Sequence, residues 1–142
     1  IEASGMINDR MPEYTVSRCG EVLNRFQKSI NGAKVLILGV AYKQDIDDYR
    51  ESPALRVIEE FQKRGADISY YDPWVAQYKY KEETYQGLKE LNPEVLAKAD
   101  IVVITTAHTN VDYEMVQKYA KAIFDTKNVM KNISKRENIE VL

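Results

Sequence analysis

Two kinds of apolar pattern alternate along this chain. In the first, short unbroken apolar runs sit between polar residues, as in KVLIL at 34–38, IVVIT at 101–105 and AIF at 122–124. Runs of three to five aliphatic and aromatic residues are too short for a helix and fit strands buried on both faces. A fourth strand is predicted over 67–71, where apolar and polar positions alternate, and Asp72-Pro73 stops it. In the second pattern an apolar residue returns every three or four positions, the signature of a helix with one buried face. Val16, Cys19, Leu23, Phe26 and Ile30 form such a stripe. It predicts a helix beginning near Asp9, with Pro12 in its first turn and Asn31-Gly32 at its end.

A second helix starts at Ser52-Pro53, with the serine as N-cap and the proline at the first helical position, and buries Leu55, Ile58 and Phe61. Lys63-Arg64 suit its C-terminal dipole and Gly65 its C′ position. Shorter helices are predicted over 93–98 and after Asp112, which caps a segment carrying Tyr113, Val116 and Ala120. Residues 74–92 interleave Trp74, Tyr78, Tyr80 and Tyr85 with lysines and glutamates, and read as an exposed excursion with one short strand. The tail from Asn132 is polar, with residues 139–142 as a final edge segment. Strands alternating with helices predict an α/β fold: a three-layer, Rossmann-like parallel sheet with helices on both faces, preceded by an N-terminal helix.

In such a sheet the loops after the strands emerge on one side, and ligands bind where the strand order reverses. Three loops therefore belong to one site: residues 42–50, 106–110 and 126–128. They bring Lys43, Arg50, His108 and Lys127 towards one crevice, a set suited to phosphate oxygens, with Tyr42 placed to lie against a sugar or base. The first loop keeps only the first glycine of a G-x-G-x-x-G fingerprint, Gly39, followed by Val40, Ala41 and Tyr42. Backbone amides then cannot close on a pyrophosphate in the usual way, and Lys43 and Arg50 are the residues left to contact it. The plainer alternative is a solvated loop whose charges pair with one another. Asp72 has two readings as well, a ribose-binding acid or an Asp-Pro turn at a strand end. His108 is either a member of the site or a loop histidine bonding its own backbone.

Composition narrows the field. The chain has 142 residues, 30% of them charged and 44% apolar, with a net charge of −2. This is one domain with a real core and no basic field, so nucleic acid is not an expected partner. No apolar run has the length of a membrane span. The single cysteine excludes an internal disulfide and implies a reducing, cytoplasmic setting. Cys19 lies in the first helical stripe and reads as a small buried hydrophobe. With one histidine and one cysteine, neither an ordinary structural zinc site nor a Ser-His-Asp arrangement is supported. No signal peptide is visible, and the opening Ile-Glu-Ala reads as the start of a piece from a longer protein.

The stretch GVAYKQDIDDYRESPAL, 39–55, resembles the signature that opens the C-terminal domain of the UDP-glucose/GDP-mannose dehydrogenases. AYKQDIDDYRESP and ITTAHTNVDY are most similar to the bacterial branch acting on UDP-N-acetylhexosamines, and FDTKN resembles that branch's D-T-R-N segment. MINDRMPEYTV resembles the helix that links the two halves of these enzymes and builds much of their dimer interface. The resemblance implies that residues 1–31 end that linker and dimerisation helix and that residues 32–142 form a nucleotide-sugar-binding domain. It implies contacts from Tyr42, Lys43 and Lys127 to a UDP-sugar, and from Arg50 to an NAD held mainly by an N-terminal domain of the same protein, which is a homodimer. Lys127 replaces the family's arginine, keeping the charge but losing the bidentate fork. The implied activity is oxidation of the sugar C6 alcohol to a uronate by two hydride transfers to NAD. The family's dinucleotide glycines and catalytic cysteine lie N-terminal to the region covered here, so the chain alone is expected to be inactive. Two other readings stay open: a receiver-like signalling domain, though the acidic pair after the first strand is absent, and an assembly module acting through the first helix.

Overall fold

The computed structural model describes residues 2–142, with side chains from residue 10 onward. Helix α1 (Glu2–Arg25) leads into β1 (Lys34–Leu38), α2 (Pro53–Lys63) and β2 (Asp67–Tyr71). A hairpin of β3 (Gln77–Tyr80) and β4 (Glu83–Gln86) comes next, then α3 (Pro93–Lys98), β5 (Ile101–Ile104), α4 (Tyr113–Tyr119), β6 (Ile123–Asp125) and β7 (Ile139–Val141). The main sheet has the order β2-β1-β5-β6-β7, and every neighbouring pair in it is parallel. The order reverses between β1 and β5, so the carboxyl ends of these two strands form the switch point, with β6 next along.

The side chains of the central strands alternate between two cores. Val35 and Ile37 of β1, Ile101 and Val103 of β5 and Phe124 of β6 face α1, α2 and the hairpin. Leu36, Leu38, Val102, Ile104 and Ile123 face α3 and α4, where Leu96, Val116 and Met130 meet them. A strand covered on both faces leaves no position for a polar residue, which is why these runs are continuously apolar. The expected three-layer architecture is therefore present.

Helix α1 differs from expectation at both ends. It is already helical at Glu2, and Pro12 lies inside it rather than in its first turn. It stops at Arg25, well before Asn31-Gly32. The Gln27 amide donates to the Asn24 carbonyl and the Lys28 amide to the Leu23 carbonyl, with Gln27 at φ 61°. This is a Schellman closure with glutamine in the left-handed position, where the chain shows no glycine to announce it. Phe26 consequently leaves the stripe and is half exposed, while Val16, Cys19 and Leu23 are fully buried. Burial pushes the Cys19 thiol well above its ordinary range, as expected of an inert hydrophobe. At the far edge, Arg18 and Arg25 each reach Glu140 at 3.1 Å, which fastens α1 to β7.

Residues 74–92 form a hairpin instead of an excursion with one strand. Its two-residue turn places Lys81 and Glu82 at φ 50° and 71°, the mirror-image turn that hairpins favour, here without glycine or asparagine. Tyr78 is buried between Tyr70, at 5.2 Å, and Tyr85, at 5.0 Å. Tyr49, from the loop after β1, lies 5.9 Å from the same ring. Tyr78, Tyr80 and Tyr85 thus extend the core beneath α1 and α2 and grip the first loop through Tyr49. β5 and β6 each sit one residue from their predicted bounds.

Candidate functional site at the carboxyl edge of the sheet

β1 ends at Leu38, and Gly39 turns the chain at φ 95°. A Cβ on Gly39 would collide with Cβ of Thr106, so both the backbone angle and the close approach of the loop after β5 require glycine. Thr106 and Ser52 then both donate to the Ala41 carbonyl, at 2.9 and 3.2 Å. The Thr105 hydroxyl donates to the Gly39 carbonyl. These bonds lock the loop after β1 onto the loop after β5.

A crevice of about 440 Å³ opens beside this junction; its lining includes Met11, Pro12 and Thr15 of α1, Ala41, Tyr42 and one acid, Glu51, of the first loop, Arg56 of α2, Thr105, Thr126 and Lys127. Asp125, fully buried at the end of β6, accepts from the amides of Lys127 at 3.0 Å and Met130 at 2.9 Å. Thr126 donates to the Ile104 carbonyl at 2.6 Å. These contacts fix the backbone that presents Lys127. Tyr42 is half exposed at the mouth, and the Lys43 ammonium lies 5.8 Å from its ring centroid, which sets Lys43 beside the crevice rather than among its lining residues. A cationic rim, hydroxyls at two strand ends and an aromatic face form a surface suited to a phosphorylated sugar or nucleoside.

The predicted cluster of four cationic residues does not converge. Arg50 points to another cleft, with Tyr49, Lys79, Tyr80 and Lys81, and its guanidinium pairs with Asp48 at 3.1 and 3.3 Å. An acceptor two residues away on the same exposed loop satisfies it locally. The Arg50 hydrogen bonds hold the Asp48 carboxyl below its usual range. Here the plainer reading of internally paired loop charges applies in part.

His108 is 1% exposed and bonds neither to its own backbone nor into the crevice. Its Nε2 lies 2.9 Å from Oδ2 of Asp72, and its Nδ1 accepts from the Asp45 amide at 2.8 Å. Asp72 is neither a free ribose acceptor nor a simple turn residue. Its carboxylate accepts from the amides of Val40 at 2.8 Å, Ala41 at 3.2 Å and Trp74 at 2.7 Å. Burial opposes its ionisation, but the donors from His108, Val40 and Trp74 outweigh burial and hold its carboxyl below the usual range. The amides after Gly39, which would meet a dinucleotide pyrophosphate in a glycine-rich turn, are thus already occupied. Among the described residues, the loop after β1 therefore does not offer NAD the pyrophosphate cradle of a glycine-rich turn.

Sequence reasoning missed Arg56 and the α1 wall of the crevice. Arg56 sits one turn into α2, and its helical position could have suggested it. The contribution of Met11, Pro12 and Thr15 depends on how α1 crosses the sheet, which leaves no local signal. Among the described residues, no group of three or more His, Cys, Asp or Glu side chains is arranged to hold a metal ion, and no helix is long and apolar enough to cross a membrane.

Known proteins share this fold. Residues 36–132 match the model for the UDP-glucose/GDP-mannose dehydrogenase family, UDP binding domain. The chain is 34% identical to the UDP-N-acetyl-D-mannosamine dehydrogenase of Methanocaldococcus jannaschii, over 92% of its own length and 30% of that protein's. It is 31% identical to the enzyme of the same name from Methanococcus maripaludis, over 93% of this chain and 31% of that one. The solved UDP-D-ManNAc dehydrogenase from Pyrococcus horikoshii aligns with a TM-score of 0.77 at 29% identity, covering 96% of this chain and 31% of that structure. The chain therefore spans about 30% of the length of the curated relatives it matches. A parallel sheet with its crevice at the switch point, together with a family match over most of the sheet, shows that this chain belongs to the UDP-glucose/GDP-mannose dehydrogenase family, as its UDP-binding domain.

Proposed function

We propose that this chain is the nucleotide-sugar-binding part of an NAD-dependent nucleotide-sugar 6-dehydrogenase, and that the crevice between α1 and the ends of β1, β5 and β6 takes the UDP-sugar. The observation that carries the reading is that Tyr42 and Lys127, 85 positions apart in the sequence, line one crevice beside the switch point. Lys127 supplies a point charge for the diphosphate, Thr105 and Thr126, whose hydroxyl protons are donated to backbone carbonyls, leave lone pairs that accept from sugar hydroxyls, and Tyr42 offers a face to the sugar or base. Lys43 adds charge at the rim. Arg50, exposed on the neighbouring cleft, is placed to reach a cofactor held by another part of the protein. The hydride acceptor, NAD, belongs to that part, since the amides after Gly39 are occupied here.

The relatives' names favour a UDP-N-acetylhexosamine as the substrate, oxidised at C6; in our reading the product is the uronate, used in polysaccharide biosynthesis. In the same reading, residues 1–31 end a linker helix and residues 32–142 form the binding domain of a cytoplasmic homodimer. The half-exposed Tyr14 on α1, with half-exposed Phe26 just past its end, supports that role for the helix. Family membership displaces the receiver-like alternative. An assembly role for α1 is compatible with ligand binding, and sedimentation of the chain tests it.

Calorimetry with UDP and UDP-N-acetylhexosamines is the direct test of the site. Weak binding that Lys127→Ala and Tyr42→Ala each reduce is expected, without NAD reduction by this chain. Absence of any heat at millimolar UDP with a folded protein would overturn the reading.

A further inference from the structure

Gly39 turns the backbone so that the amides of Val40 and Ala41 point at one spot, a small cradle for an anion. The occupant is Oδ2 of Asp72, at 2.8 and 3.2 Å. The same oxygen meets Nε2 of His108 at 2.9 Å. His108 uses both ring nitrogens, and their roles are fixed: the Asp45 amide donates to Nδ1, so Nε2 carries the proton that is donated to Asp72. Asp45, at φ 60°, holds a conformation that non-glycine residues seldom adopt. Its carboxylate also accepts from the Thr109 amide at 2.9 Å and hydroxyl at 2.8 Å. Three residues on, the Asp48 carbonyl accepts from the Tyr42 amide at 2.7 Å. Hydrogen bonds thus tie the buried carboxylate to Asp45 and the Asp48 carbonyl to the aromatic residue at the crevice mouth, with the loop backbone over 45–48 joining the two. Neither Asp72, His108 nor Asp45 lines that crevice.

We propose that Asp72 and His108 are positioning residues for ligand binding: the Asp72 carboxylate takes the place of a ligand phosphate in the amide cradle after β1, and His108 passes that anchor to Asp45, holding residues 42–48 in the conformation that presents Tyr42. The consequence for binding rests on the proposed UDP-sugar site. The left-handed backbone at Asp45 is held in place by hydrogen bonds to its amide and to both carboxylate oxygens. The clasp also explains how a Rossmann-like domain can keep the first glycine of the fingerprint without binding a dinucleotide there.

The protein has one histidine, so its imidazole nitrogens give unambiguous ¹⁵N resonances. The expected signature is a protonated Nε2 with Nδ1 as acceptor, and the opposite tautomer would overturn the clasp. His108→Gln carries an N–H and a carbonyl that can replace both ring nitrogens, whereas His108→Ala removes both. UDP affinity by calorimetry is expected to fall about tenfold in His108→Ala and to return to within about threefold of the parent in His108→Gln. Exchange of the Asp45 amide should follow the same order, with β5 amides unchanged. Unaltered UDP affinity in a folded His108→Ala protein would overturn the proposal, as would failure of glutamine to rescue. Should His108→Ala not fold, Thr109→Ala loosens the same anchor from an exposed position and is expected to weaken UDP by about threefold. No effect there would also count against the clasp. If the parent protein fails to bind UDP, the site reading falls, while the tautomer and Asp45 exchange still decide the clasp.

Discussion

On the β2 side of β1, the backbone amides at the carboxyl edge of the sheet meet a carboxylate of the chain itself. On the β5–β6 side, the same edge stays open and is lined by hydroxyls, Tyr42 and Lys127. The first half already holds a negative charge, and the second leaves room for a ligand. The difference lies in the acid at the end of each flanking strand. Asp72 is fixed at the end of β2 and reaches back under the β1 loop, so the cradle fills during folding. Asp125 at the end of β6 bonds the amides of its own loop instead and leaves Lys127 directed to the crevice. One acid closes a site and the other holds one open.

The contrast is lost most completely at Gly39, where both halves meet. Gly39→Ala drives a Cβ into Thr106 and imposes a side chain at φ 95°, and is expected to destabilise the protein by about 3 kcal/mol or more in urea unfolding. Asp72→Asn should cost about 2–3 kcal/mol, because it removes the charge that donors from Val40, Ala41, Trp74 and His108 were arranged to meet. Its effect on pH dependence has a definite sign. A carboxyl whose pKa is lower when folded contributes stability that is complete above its unfolded value, about 3.9, and is lost as pH falls through the folded value. Stability of the parent should therefore fall through that acid range, and Asp72→Asn should flatten that fall in unfolding measured at a series of pH values.

Substitutions in the open half should leave stability nearly intact and change binding. Lys127→Ala is expected to weaken UDP by about tenfold while shifting stability by no more than about 0.5 kcal/mol. Lys127→Arg restores a fork and should bind UDP at least as tightly as the parent, as calorimetry would show. The smallest effect is expected at Arg50. Its guanidinium is paired on an exposed loop, so Arg50→Ala should change neither stability by more than about 0.5 kcal/mol nor UDP affinity by more than about twofold. A large loss of UDP binding there would place the ligand in the neighbouring cleft and reverse the assignment of the two regions.

Much of the frame was legible because its causes are local. Val35 to Leu38 and Ile101 to Ile104 declare strands covered on both faces, Ser52-Pro53 declares a helix start, and Gly39 marks the turn that opens the site. The hairpin over residues 77–86 was not legible, since its turn uses Lys81 and Glu82 and its core is made of tyrosines that read as surface. The end of α1 was hidden for a similar reason: glutamine, not glycine, takes the left-handed position. Lys127 and Tyr42 could be named from their places after strands. The diversion of Arg50 to Asp48, and the burial of His108 between Asp45 and Asp72, depend on loop conformations that no spacing encodes.

The order of amino acids dictated the alternation of buried strands and capped helices, and with it the edge at which the crevice opens, because periodicity and capping act within a few residues of one another. Which charges at that edge face a ligand, and which face each other, was settled only when the chain had folded on itself. At the closed half that choice depends on residues far apart in sequence, 72 against 40 and 72 against 108, because burial makes an unpaired Asp72 carboxylate too costly to leave.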